Sequence, residues 1–315
     1  MTMRHFLISL AAFLLFLTAS MSCSSRQSDS QLPSLRLGAM SSLDYIPYVV
    51  AQKVGIYDSL GLDLEIVKFF SANDRDAAFR SGQVDGTVID YTGAAIQHAA
   101  GMDIALITRH DGYFEFMAQP SIQGLEELKG KKIGVSRNTV IEYATDRMLA
   151  SVGIKPEEVQ KMEVNKIPLR MELMIAGEMD ASIFPDPFIS MSRTKGFKSL
   201  ASTHEMGIYV TGSVFSRKSL DEKRASVELL LQGYNLAVDY MKAHPRSEWQ
   251  QILVDDAMVP EEMAVTLPLP DYRPATTPSP LDIKETIAWL HQKELVPDEY
   301  AGEGLVDSSF LPSAK

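Results

Sequence analysis

The chain of 315 residues carries 41 acidic and 30 basic side chains, a formal charge of −11, 45% hydrophobic residues and one cysteine. That balance excludes a nucleic-acid partner, whose backbone requires a positive footprint, and the lone cysteine excludes an internal disulfide or a cysteine-based metal cluster. The length is generous for one hydrophobic core and comfortable for two.

Residues 1–5 carry a positive charge at Arg4, and residues 6–17 form an uncharged apolar run. The run is short for a bilayer-spanning helix but has the length of a secretory h-region. Small and polar residues follow, and then Cys23, in a pattern that resembles a bacterial lipobox. The expectation is a signal peptide over 1–22, cleavage before Cys23, and acylation of its thiol. Residues 23–34 are rich in Ser and Gln with no apolar periodicity, so they are expected to act as a flexible tether.

From Leu35 onward one pattern is written twice. The first copy reads LRLGAMSSLDYIPYVVAQKVGI, LDLEIVKFF and DRDAAFRSGQVDGTVIDYTG; the second reads KKIGVSRNTVIEYATDRMLASVGI, MEVNKIP and LRMELMIAGEMDASIFPDPF. Gly38 answers to Gly134, Gly55 to Gly153, Gly82 to Gly177, Asp85 to Asp180 and Asp90 to Asp186, at offsets of 96, 98, 95, 95 and 96. Each copy predicts strand, Ser-containing loop, helix, Gly turn, strand, helix, Gly-x-x-Asp turn and strand. Short strands of Leu, Ile and Val alternate with helical spacing, which predicts an α/β protein with mostly parallel sheets flanked by helices. Crossovers in such sheets are right-handed.

Further on, IALITRHDGYFEFMAQPS predicts a strand, a loop and a strand leading out of the first unit. THEMGIYVTGSVFSRKSL predicts a strand leading back. Helices are expected over 221–243, ended by His244-Pro245, over 246–255, and over 282–293 after a Pro-rich loop. Two lobes result: a discontinuous lobe one of 35–113 plus 211–315, and lobe two of 114–210. Ligands of open parallel sheets bind beyond the carboxyl ends of the strands, so the loops there should face an interdomain cleft.

Those loops supply the candidate ligand-binding residues. Asp44 and Tyr45 precede a helix beginning near Pro47, where Asp44 is equally suited to cap it. Asp90 and Tyr91 end a buried strand, and Asp186 repeats the acid in the second copy. Asn138 and Thr139 open a helix with Glu142 in its first turns, a start suited to an anion or to an ordinary capping box. Phe70, Tyr113 and Tyr209 stand at strand ends or beside the inter-lobe segments, where an aromatic ring either stacks on a planar ligand or packs the core. Five histidines beyond the leader show no metal-ligand spacing, and no nucleophile elbow, P-loop or His-Glu-x-x-His is present. No cofactor is expected.

LDYIPYVVAQKVGIYDSLGLDLEIVKF, AAFRSGQVDGTVID and LEELKGKKIGVS together resemble the NMT1/THI5-like and SsuA-like solute-binding proteins. The resemblance implies a two-lobed type II periplasmic-binding-protein fold that closes on a small molecule and docks on the permease and ATPase of an ABC importer. With the leader, it implies a monomer held by a lipid anchor in the cell envelope, periplasmic or on the outer face of the cytoplasmic membrane. On the predicted rim Asp44, Asp90, Asp111, Glu142 and Asp186 outnumber Arg109 and Arg137, which favours a donor-rich or cationic ligand, and an aminopyrimidine of the thiamine-precursor type suits both. The runner-up is an alkanesulfonate or another small anion near Thr139. Two other classes stay open: a lipid-anchored sensor serving a receptor, and an enzyme like the family's fungal pyrimidine synthases, whose Cys-rich motif this chain lacks.

Overall fold

The computed structural model describes residues 32–312; the expected leader over 1–22, Cys23 and the tether up to residue 31 lie outside the described residues. Ten strands form two five-stranded sheets. The first contains β1 (Leu35–Met40), β2 (Leu64–Phe69), β3 (Gly86–Asp90), β4 (Ile104–Arg109) and β10 (Thr211–Ser216), in the order β2-β1-β3-β10-β4. The second contains β5 (Phe114–Ala118), β6 (Lys132–Val135), β7 (Gln160–Glu163), β8 (Ala181–Pro185) and β9 (Lys198–Ser202), in the order β7-β6-β8-β5-β9.

The two orders are the same once β6 is set on β1, β7 on β2 and β8 on β3, so the repeat in the sequence is a repeat in space. It extends to single hydrogen bonds. The Asp85 carboxylate accepts from the Arg36 N–H at 2.8 Å, and the Asp180 carboxylate accepts from the Lys132 N–H at 2.8 Å. Thr87 donates its hydroxyl to the Gly38 carbonyl at 3.0 Å, and Ser182 donates to the Gly134 carbonyl at 2.8 Å. Gly82 and Gly177 turn the chain with φ of 72° and 74°, a left-handed conformation that costs glycine least.

Each sheet is mixed, with four of its five strands running one way, as the mostly parallel plan predicts, and one reversed. The first three strands in each order run parallel, but β10 is antiparallel to β3 and β4, and β5 is antiparallel to β8 and β9. The reason is the exchange between sheets. β5 and β10 each enter from the other sheet, through 110–113 and 203–210, and start opposite the last residues of β8 and β3, pairing Phe114 with Pro185 and Thr211 with Asp90. A strand that enters at the carboxyl end must run backwards, so both crossing segments lie beside the loops that face a ligand.

Helices flank the sheets. The helices Tyr91–Ala99, Val140–Ser151 and Pro280–Gln292 bring Ala94, Tyr143 and Trp289 into one core that also takes buried side chains from both sheets, among them Ile89, Leu106, Phe116 and Ile133. A second core covers the other face of the first sheet, and a third, holding Met171, Met174 and Phe184, covers the second. The helix expected over 221–243 is two helices, Arg217–Glu222 and Arg224–Ala243. Ser216 caps the first by accepting the Ser219 N–H, and Lys223 leaves the helix at φ −123° and places its ammonium 2.9 Å from Asp85. The helix expected over 246–255 begins later, at Gln250, after a single 3-10 turn at Arg246–Glu248. The closing helix begins two residues early, at Pro280, where Ser279 accepts the Asp282 N–H.

His110, on the first crossing, is fully buried with Nε2 2.8 Å from the Ser213 hydroxyl and with Tyr48 and Tyr234 at its faces. Burial pushes its imidazolium down to about 3. An unfolded chain takes up this proton below about 6.5 while the folded one resists it, so stability is full above that pH and falls as pH drops toward 3. The expected contribution is up to about 1.4 kcal/mol per pH unit within that window. Urea unfolding of the parent and His110→Gln at pH 7 and pH 5 should show the variant losing less on acidification; equal losses would refute the assignment.

Candidate functional site

The loops at the carboxyl ends of β1, β3, β6 and β8 converge on one cleft between the sheets, with about 530 Å³ of empty space counted to its open mouth. Its walls are mainly apolar, with Val88, Ile89 and Phe114 among them, and Ser42, Asp44, Arg75, Asp90, Thr139 and Arg170 bring polar groups to it. The two halves touch at the rim, where the Ile167 N–H donates to the Phe70 carbonyl at 3.4 Å.

Asp44 and Asp90 both line the cleft, in different electrostatic states. Asp90 caps the helix Tyr91–Ala99 by accepting the Gly93 N–H at 2.9 Å, accepts the Thr92 hydroxyl, and meets the Arg75 guanidinium at 3.3 Å. Arg75 also holds Asp76 at 2.8 Å. Burial works against the charge of Arg75, but the two carboxylates outweigh it and hold the group above its ordinary range. Asp44 is also buried; it takes the Ser42 hydroxyl and, among the described residues, no cationic partner. Burial pushes its carboxyl up.

Thr139 reaches the cleft too, as the cap of the helix Val140–Ser151. Its hydroxyl oxygen accepts the Ile141 N–H and donates to the Ser136 carbonyl at 2.8 Å. Asp186 and Tyr113 form an annex that Asp44 also borders. Asp186 accepts the Ser190 N–H at 3.0 Å and the Tyr113 hydroxyl at 3.2 Å, and burial raises its carboxyl.

The other sequence candidates stand elsewhere. Tyr45 is fully buried and donates its hydroxyl to the Asp256 carbonyl, and Tyr91 is fully buried against Gly212 in β10. Both serve the core because the residue after each acid turns into the sheet. The Glu142 carboxylate points away from the cleft, at the Asn138 N–H and at Lys161 and Lys293. The Asn138 side chain is exposed on a left-handed residue with φ 60°. The Phe70 ring is exposed. Tyr209 lies on the second crossing between the guanidiniums of Arg109 and Arg273, 4.9 and 5.3 Å from its ring centre, in a separate hollow with Asp111 and Arg193.

The rim count of acids over bases therefore misjudges the charge of the cleft. Asp90 is neutralised by Arg75, Asp111 by Arg109 and Arg273, and Glu142 by Lys161 and Lys293. Sequence reasoning passed over both arginines that line the cleft. A signal for them existed: Arg75 and Arg170 each stand seven residues before a turn glycine, at the same offset of 95 as Gly82 and Gly177. Among the described residues there is no cluster of three metal-ligating side chains and no helix long and apolar enough to cross a membrane.

Known proteins resemble the chain over most of its length. The family model described as NMT1/THI5 like matches residues 42–248. A protein of Haemophilus influenzae named for thiamine biosynthesis is 24% identical over 276 residues, covering 82% of this chain and 86% of its own. Among solved structures, the ligand-binding component of an ABC-type import system from Staphylococcus aureus, with zinc bound, superposes with a TM-score of 0.76 at 19% identity, over 88% of this chain and 97% of its own. The alkanesulfonate-binding protein SsuA from Xanthomonas axonopodis pv. citri bound to MOPS gives 0.73 at 17% identity, over 87% and 98%.

Proposed function

Since the chain belongs to the NMT1/THI5-like family, we propose that it is the extracytoplasmic solute-binding component of an ABC importer and captures an aminopyrimidine of the thiamine-precursor type between two closing lobes. One observation carries the role: two repeat-related sheets turn the carboxyl ends of their parallel strands onto one mainly apolar cleft that carries a few buried polar groups. Solved neighbours that serve ABC import and sulfonate binding support it, and the relative named for thiamine biosynthesis supports the ligand class.

Lobe one comprises 35–113 and 211–315, lobe two 114–210, and the crossings at 110–113 and 203–210 are the hinge. Ligand binds the closed arrangement more tightly than the open one and so shifts the population toward it. The permease then receives the closed form. The protein works as a monomer without cofactor or covalent chemistry, tethered through acylated Cys23 outside the cytoplasmic membrane. In the cleft, the apolar walls cover the pyrimidine ring, and the Asp44 carboxylate accepts from its amidine edge.

A second reading, capture of an alkanesulfonate or other small anion, is favoured by one feature, the Arg170 guanidinium, which has no carboxylate partner among the described residues.

A thermal-shift screen of the intact protein separates the two. At a hundredfold excess over its dissociation constant an aminopyrimidine should stabilise by about 2.7 kcal/mol, and Asp44→Asn should abolish the shift. A response to alkanesulfonates alone would replace the ligand class and keep the transport role.

A further inference from the structure

The two halves of the repeat treat their arginines differently. In the first copy Arg75 is met by Asp76 and Asp90. In the second copy the position that answers Asp76 is Met171, and the acid that answers Asp90, Asp186, is turned to Ser190 and Tyr113. Arg170 thus loses both counter-ions at once. It is 0% exposed. Among the described residues its donors reach only the Val164 carbonyl at 2.9 Å and the Ile183 carbonyl at 3.4 Å, the Phe184 ring lies 5.4 Å away, and Nε has no partner.

A buried guanidinium with no carboxylate is costly unless something supplies the negative charge. The charge persists: burial lowers the group only to about 10. On the opposite wall, Asp44 is 5% exposed and equally without a cation. A guanidinium and a carboxyl, neither ion-paired among the described residues, therefore face one cleft from its two lobes, and they form no ion pair with each other.

We propose that the captured solute is amphoteric, with an anionic group (carboxylate, phosphate or sulfonate) held by Arg170 on lobe two and a hydrogen-bond-donating or cationic group held by Asp44 on lobe one. The inference rests on the solute-capture reading and narrows its ligand. A ligand of this kind engages one buried polar group on each lobe, so it gains its full contacts only when the lobes are together. That difference in affinity between closed and open forms is what drives closure. Ser136, Thr139 and Asn165 line the same cleft as neutral polar groups.

Calorimetric titration of the full-length protein tests this with matched probes: 4-amino-5-hydroxymethyl-2-methylpyrimidine, its monophosphate, taurine and β-alanine. The expected result is that at least one anionic probe binds more than tenfold tighter than the neutral pyrimidine. Which of them does so identifies phosphate, sulfonate or carboxylate as the anion. Arg170→Gln should then weaken that probe by more than a hundredfold, and Arg170→Lys should recover part of the loss. If Arg170→Gln does not fold, the comparison of charged and neutral probes on the unaltered protein still decides.

Tight binding of the neutral pyrimidine, with the monophosphate no better and affinity unchanged in Arg170→Lys, would overturn the inference and leave solute capture standing. Silence from all four probes would overturn both the inference and the aminopyrimidine reading.

Discussion

Replacing Arg75 with methionine is expected to cost about 3–5 kcal/mol of folding stability, because it leaves Asp90 buried without its cation. Asp90 is 3% exposed and Arg75 is 2% exposed, so neither charge has water to fall back on. The Thr92 hydroxyl and the Gly93 N–H remain to Asp90 in the variant, and these dipoles recover only part of the lost interaction. The double variant Arg75→Met/Asp90→Asn should regain much of the loss, since removing both members of a buried pair is far less damaging than removing one. Urea unfolding of the parent, both single variants and the double variant completes the cycle. A loss below about 1 kcal/mol in Arg75→Met would mean that the pair is effectively solvated, as surface pairs are.

The second large effect is expected at Glu142, which ties the helix Val140–Ser151 to the closing helix on the side away from the cleft. Its carboxylate accepts from Lys161 of β7 at 2.9 Å, from the Asn138 N–H at 2.9 Å and from Lys293, at the end of the closing helix, at 2.8 Å. One turn on, Asp146 accepts the Trp289 indole N–H at 3.1 Å, and Arg147 pairs with Glu285 at 2.9 Å. Three consecutive polar contacts thus hold Val140–Ser151 to Pro280–Gln292. Glu142→Ala should lose about 3 kcal/mol at pH 7, the low end of the range because Lys293 is partly exposed and Lys161 keeps Asp146.

The pH dependence follows from the same contacts. Burial by itself would raise the Glu142 carboxyl, but Lys293, the Asn138 N–H and Lys161 outweigh it and hold the group at about 2. A carboxyl held below its unfolded value of about 4.5 adds stability that is complete above that pH and is lost as pH falls toward 2. The gap between parent and Glu142→Ala should therefore shrink on acidification from pH 5 to pH 3. A gap that stays constant would show that the loss comes from packing rather than charge.

Much of this architecture is readable along the chain. Leu35, Leu37 and Ala39 alternate into a strand, Gly82 and Gly177 mark left-handed turns, and Asp85 and Asp180 follow each at the same distance because each must tie its strand to the next. These are local demands, so they leave a local trace. Asp44 and Asp90 were legible as cleft residues for a related reason: a parallel strand delivers the residues after its carboxyl end to the ligand side. Tyr45 and Tyr91, one residue further, were not separable from them, because a single rotation of the backbone decides whether a ring meets ligand or core.

Periodicity and the spacing of glycines and acids by themselves determined the two-copy α/β plan, because each depends on neighbours in sequence. Only the tertiary structure decided which charges are matched. Arg75 reaches Asp90 across 15 residues, Lys293 reaches Glu142 across 151, and Arg170 reaches no acid at all among the described residues. Such pairings arise when distant segments are brought to one place, and a buried charge takes its meaning from what stands within a few ångströms of it rather than from its place in the chain.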